Sequence, residues 1–261
     1  MLAAGPLTHH PLTGSCVQEP LFYRTPNAMD EWIDYYDSTH TIYASRLHRD
    51  LHFQIIARDI IGYISSPDSV VVDYACGEAL SAAKVADACA KLYLAEPAPG
   101  VRGRLIARFA PNTKIRVRSL DDLRKMDEAV DLVVMNSVAQ YMTPDELDSA
   151  LAVVRRLLKP NGRLVLGDIL RPEVGMARDV LALLKFARTH GFLKDALYGL
   201  ASTALSDYRQ LRTRVGLQRY SENEMIEKLA RAGFSTSRAH QNIGHNPWRM
   251  TFVARHALKL N

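Results

Sequence analysis

No stretch of about twenty consecutive apolar residues, the length that crosses a bilayer, occurs anywhere in the chain, so no membrane-spanning helix is expected. Cysteine is scarce. Cys16, Cys76 and Cys89 are odd in number and lack metal-ligand spacing, which predicts a reduced, cytoplasmic protein without structural disulfides. The formal charge is +5, yet Lys and Arg are scattered among acids, with no basic block and no alternation of basic and aromatic residues; a nucleic-acid partner is not expected. The three-glycine loop that cradles a dinucleotide is also missing, because residues 75, 77 and 79 read Ala75, Gly77 and Ala79. His48 and His52 stand one helical turn apart, but neither a third ligand nor an H-E-x-x-H pattern accompanies them, so no metal is expected. Residues 1–28 carry Pro breaks, little periodicity and no signal-peptide core, and they are expected to be a flexible extension ahead of a single domain over 29–261.

What the chain does have is a repeating strand-then-helix pattern. Val70 to Leu80, VVVDYACGEAL, reads as a buried parallel strand that ends in an acid, Asp73, and enters a tight loop at Gly77. Lys91 to Ala95 is a second strand, with Glu96 at its end and Pro97 beside it, and Lys114 to Val117 is a third, followed by Ser119 and Leu120. A fourth apolar run, Asp131 to Met142, breaks at Asn136 and Ser137 before Tyr141. Leu157 to Asp168 combines a helix end, a Pro-Asn-Gly turn and a fifth strand. Ser221 and Glu224 form a capping-box signature for a helix over Tyr220 to Phe234, and two strand-like runs follow, Ser235 to Gln241 and Arg249 to His256. At 261 residues and 48% hydrophobic content, the chain suits one well-buried α/β domain with a cap.

These strand ends, taken together, resemble the class I S-adenosylmethionine (SAM)-dependent methyltransferases, of the type that acts on small molecules. The resemblance implies a Rossmann-like, seven-stranded, mostly parallel sheet in the order 3-2-1-4-5-7-6, flanked by helices and closed by an antiparallel hairpin. It also implies SAM as cofactor, bound by Asp73, Ala75, Cys76, Gly77, Glu96, Pro97, Ser119, Leu120, Asn136, Ser137 and Tyr141. Glu96 would accept hydrogen bonds from both ribose hydroxyls, because adjacent parallel strands share one crevice at their carboxyl ends. Two positions depart from the family pattern: Ala75 stands where glycine is common, and Ser119 where an acid is usual near the adenine. The segment Asn136 to Tyr141 looks close to the N-methyltransferase domains of peptide synthetases, a slight lean toward nitrogen that leaves O, N and C acceptors open.

Two segments outside these strands are candidates for the acceptor site. Residues 29–64 have helical character, and Trp32 to Tyr43 resembles the aromatic-and-acid lid of small-molecule methyltransferases, which makes Tyr36, Asp37 and Tyr43 candidate substrate contacts, with Asp168 at the sheet edge. Residues 171–219 are too long for a plain connection and predict a helical cap, with helices over Met176 to Thr189 and Leu193 to Leu205 and a hydrophobic acceptor beneath. His40 and Tyr141 are the first candidates for a catalytic base, with Asp37 and Asp168 behind them. A small-molecule acceptor and a monomer or homodimer are expected. The alternatives are a protein that binds SAM without turnover and, less favoured, a nucleotide-dependent oxidoreductase.

Overall fold

A computed structural model of the chain describes residues 28–38, 43–126, 129–203 and 215–257. The sheet is built from β1 (Val70–Tyr74), β2 (Lys91–Ala95), β3 (Ile115–Arg118), β4 (Val130–Asn136), β5 (Leu158–Ile169), β6 (Phe234–Arg238) and β7 (Met250–His256). Its order is β3-β2-β1-β4-β5-β7-β6, with the first four pairings parallel and the β5–β7 and β6–β7 pairings antiparallel. This is the Rossmann-like arrangement anticipated from the strand ends.

The central strands are almost continuously apolar because both of their faces are covered. In β4, Val133 and Met135 enter the layer shared with α6 (Pro144–Leu157) and α9 (Glu222–Arg231), where Leu147, Leu151, Met225 and Leu229 are buried. Leu132 and Val134 alternate to the opposite layer, with α2 (Arg46–Ile61), α3 (Ala82–Asp87) and α4 (Pro99–Phe109). Both layers surround a sheet whose carboxyl edge carries the polar residues.

Several boundaries shift for local reasons. The helical region at the amino end is two helices, α1 (Ala28–Asp37) and α2, the latter capped by Ser45, whose hydroxyl accepts from the His48 N–H. The fourth strand stops at Asn136, and Ala139–Tyr141 forms a single 3₁₀ turn. Between the pairs Val130–Leu158 and Leu132–Arg163, β4 advances two residues and β5 five, so the Lys-Pro-Asn-Gly segment is an excursion within β5. A Cβ at Gly162 would meet the Val130 carbonyl at 2.9 Å, which explains glycine there. α5 (Leu120–Arg124) and α9 start with the capping boxes Ser119/Asp122 and Ser221/Glu224.

The insertion after β5 forms α7 (Met176–His190) and α8 (Leu193–Thr203), divided by Gly191 at φ 80°. Among the described residues, no helix is long and apolar enough to cross a membrane. The extension over residues 1–28 lies almost wholly outside the described residues, as does His40.

Candidate active site

A cavity of about 430 Å³ opens at the carboxyl edge of the sheet, where β1 lies between β2 and β4. That is the switch point at which connections leave a doubly wound sheet in opposite directions, and open α/β sheets bind ligands there. Its volume lies in the ordinary range for small-ligand sites. Asp73, Ala75, Cys76, Gly77, Glu96 and Pro97 line one side, and Asn136, Ser137, Tyr141 and Asp168 another.

The backbone along this edge is unusual. Four non-glycine residues have left-handed φ among the described residues, namely Ala75 (54°), Ala79 (41°), Ser137 (58°) and Asp168 (61°). All four line the cavity. Each such conformation costs on the order of 1–3 kcal/mol, and the surrounding structure must hold it in place. Gly77, at φ 58°, belongs to the same turn, and a Cβ there would meet nothing within 4 Å, so glycine answers the backbone angle rather than crowding.

Glu96 holds this loop. Its carboxylate, 4% exposed, accepts from the Gly77 N–H at 2.8 Å and the Ala98 N–H at 2.9 Å. Burial pushes its pKa up, opposed by those two N–H groups and by Arg102. Each oxygen keeps a second lone pair, so two further donors can be accepted. Burial, reinforced by the Glu96 charge, pushes Asp73 up to about 7. Burial raises the Cys76 thiol well above its ordinary value, which makes it a small filler rather than a nucleophile.

On the other wall, Ser137 donates to Asp168 at 2.8 Å, and Arg249 Nη1 lies 3.2 Å from the same carboxylate oxygen. Arg249 also pairs with Asp179 at 3.1 Å, and Asn242 donates to the other Asp168 oxygen at 3.3 Å. With these partners, Asp168 anchors the β5 end and is poorly placed to be a base. A Cβ at Gly167 would approach Asn136 Oδ1 to 2.5 Å, so this glycine makes room for the Asn136 amide.

α1 contributes Met29, Trp32, Ile33 and Tyr36 to the cavity wall. The Tyr36 and Tyr141 hydroxyls are 2.7 Å apart, and the Trp32 and Tyr141 rings 4.7 Å. Burial raises the Tyr141 pKa, so the phenol stays protonated and suits a hydrogen-bond donor rather than the base expected of it. Tyr43 lines the cavity too, its pKa raised by burial.

Three expected site residues sit elsewhere. Asp37 is outside the cavity wall and accepts from the Gly100 N–H at 3.0 Å and the Val101 N–H at 2.9 Å. It caps α4, whose own N-cap residue, Ala98, has no side chain for the task. Ser119 and Leu120 also lie outside the wall: Ser119 caps α5 and Leu120 packs against the core. The structure places these three positions outside the cavity wall. α7 and α8 contribute no residue to the wall and stand behind it, where Phe186 of α7 and Phe192 of the α7–α8 turn lie against His48. His245 and Arg249, which the sequence did not single out, also line the cavity, as does Gln140 of the Asn136 to Tyr141 segment. The singled-out His48 and His52 line it as well, yet no group of three or more metal-ligating side chains suited to an ion exists among the described residues.

Residues 71–162 match the family described as a methyltransferase domain. This part of the chain is similar to methyltransferase domains. Solved structures of methyltransferases share the fold of this chain. Magnesium protoporphyrin IX methyltransferase (ChlM) from Synechocystis PCC 6803, solved with bound SAM, is 16% identical with a TM-score of 0.54, the match covering 89% of this chain and 99% of ChlM. The N-methyltransferase NodS from Bradyrhizobium japonicum WM9, in complex with S-adenosylhomocysteine (SAH), is 17% identical with a TM-score of 0.54, covering 88% and 98%. The mitomycin 7-O-methyltransferase MmcR is 19% identical with a TM-score of 0.54, covering 78% of this chain. The chain spans about half the length of MmcR and of the pyocyanin biosynthetic protein PhzM, 54% and 55%. No curated protein sequence matches it. At these identities the likeness is one of fold.

Proposed function

We propose that the protein transfers a methyl group from SAM to a small-molecule acceptor, with residues 29–261 acting as one domain. The observation that carries this reading is the convergence of the Asp73–Gly77 loop, Glu96 and the Asn136–Tyr141 segment on one cavity at the switch point between β1 and β4.

The residues present fit SAM. Glu96 retains lone pairs suited to a pair of ribose hydroxyls, and the buried Asn136 Oδ1 and Gln140 Oε1 have no hydrogen-bond partner among the described residues, which suits ligand donors. Cys76 and Gly77 are small enough to let the ligand lie against backbone. The bound cofactor supplies an already electrophilic sulfonium methyl. The chain's own part is to orient, to exclude water and to keep the acceptor in line, an effect worth about 7–11 kcal/mol when the geometry is tight. Glu96 fixes the loop through Gly77 and Ala98. Trp32 and Tyr36 form part of the wall, and the Tyr36–Tyr141 contact joins α1 to the β4 edge. The mixed aromatic and apolar wall favours an acceptor of small or medium size with hydrophobic bulk.

Named methyltransferases of this fold include both O- and N-acting ones, so the acceptor atom is left to experiment. Incubation with SAM and fractionated cell metabolites should give SAH together with a one-methyl mass gain in a single small molecule. SAH formation that tracks no methylated metabolite, or none at all, would count against turnover and favour a protein that only binds SAM.

A further inference from the structure

One end of the cavity holds a group of side chains that the reading above leaves idle. His48 and His52 come from α2 and His245 from the β6–β7 connection, and all three line the wall. Their ring centroids form a nearly equilateral triangle, 6.4 Å between His48 and His52 and 6.3 Å from each to His245. Planar rings enclose them. Phe186 stacks on His245 at 4.6 Å, Phe192 stacks on His48 at 5.1 Å, and Tyr43 lies 5.6 Å from His48 and 5.4 Å from His52.

The hydrogen bonding argues against a metal here. His48 Nδ1 accepts from the Ala44 N–H at 3.2 Å, so the neutral ring carries its proton on Nε2 and presents a donor, not a ligand lone pair. The rings are themselves uncharged at neutral pH, and burying a charge among them costs free energy, which favours an uncharged guest. Burial lowers the pKa of all three rings, His48 to about 4 and His52 to about 3, and each of those two is lowered further by His245. Of the three rings, His245 is the one on which nearby carboxylates act. Asp168 and Asp179 favour its proton, while Arg249, which binds both acids, and His190 oppose it. His245 is thus the ring best able to hold a transferred proton briefly.

We propose that His48, His52 and His245 form the acceptor subsite, which takes an uncharged planar molecule bearing an O–H or N–H group, and that His245 receives its proton as the methyl group is transferred. This rests on the methyltransferase reading. The acceptor lone pair forms the bond to the methyl carbon as the carbon–sulfur bond breaks, with that electron pair staying on sulfur. The O–H or N–H proton passes to the unprotonated His245 nitrogen and from there to solvent.

The test uses the full-length protein loaded with SAH, titrated calorimetrically with 1-naphthol and with 1-methoxynaphthalene, which keeps the rings but lacks the O–H. Naphthol should bind about tenfold more tightly, the scale of one hydrogen bond to a buried partner. His245→Phe should abolish that preference while SAH affinity stays unchanged, which also shows that the variant is folded. His245→Gln keeps an acceptor but cannot carry the proton; it should keep the preference, and with SAM it should methylate naphthol at least about 100-fold more slowly than wild type. The proposal is overturned by equal binding of the two probes, by a preference that survives in His245→Phe, by a His245→Gln variant of normal rate, or by a wild type that leaves naphthol unmethylated. Failure of the wild type to bind SAH would instead remove the methyltransferase reading itself.

Discussion

Replacing Glu96 by alanine should weaken the fold and the cofactor site at once. The side chain is buried and accepts two backbone N–H groups, at 2.8 and 2.9 Å, from the loop after β1 and the turn before α4. Hydrogen bonds to a charged group contribute about 1.5–3 kcal/mol each, and burial of the carboxylate offsets part of that, so about 3 kcal/mol for the pair is a reasonable expectation. For a chain of this size, 1 kcal/mol moves Tm by about 2–4 °C, which gives a fall of about 6–12 °C for Glu96→Ala. SAH affinity should fall by about 10- to 150-fold, the equivalent of one lost charge-assisted bond to a ribose hydroxyl. Glu96→Gln should be intermediate in stability, because its amide oxygen serves one N–H while its NH₂ opposes the other. Differential scanning calorimetry and isothermal titration read the two effects separately. A Glu96→Ala protein that melts within about 2 °C of wild type and binds SAH equally well would refute both the loop-holding role and the ribose assignment.

Other perturbations follow from the same structure. Asp73, with a folded pKa near 7, binds protons that the unfolded chain has already released, so it lowers stability as pH rises from about 4 to 7; Asp73→Asn should flatten that part of the Tm–pH curve and leave its acid side unchanged. His52, depressed to about 3, acts in the opposite sense: stability is lost as pH falls below about 6.5, and His52→Phe should move the acid-unfolding midpoint, followed by circular dichroism, to lower pH. Asp37→Ala should cost about 0.5–2 kcal/mol and accelerate amide exchange at Gly100 and Val101, the two N–H groups that it caps. Arg249→Ala strands Asp168 and Asp179 without their shared partner and should cost about 3–5 kcal/mol in urea unfolding.

Parallel strands buried on both faces announce themselves as apolar runs ending in polar residues, and for that reason β1 and β2 were legible almost to the residue, while the run of β4 was read past its end at Asn136. The capping box at Ser221 placed α9 in the same way. The left-handed turns at Ala75, Ala79, Ser137 and Asp168 were hidden, since only glycine advertises positive φ in a sequence and here tertiary contacts enforce it. Asp37 read as a substrate contact because its role depends on Gly100, 63 residues away in the chain. His48 and His52 lacked a visible third ring for a similar reason: His245 arrives from the far end of the chain through the hairpin that closes the sheet. Amphipathic periodicity predicted α7 and α8 but could not say that they stand behind the cavity wall rather than in it.

Calorimetric titration of SAH into the full-length protein, with SAM as competitor, tests the central claim most directly. One saturable site per chain is predicted, lost or strongly weakened in Glu96→Ala and displaced by SAM. A wild-type protein that is folded yet gives no saturable heat with either ligand would contradict the assignment of the cavity to the cofactor, and with it the proposed methyl transfer.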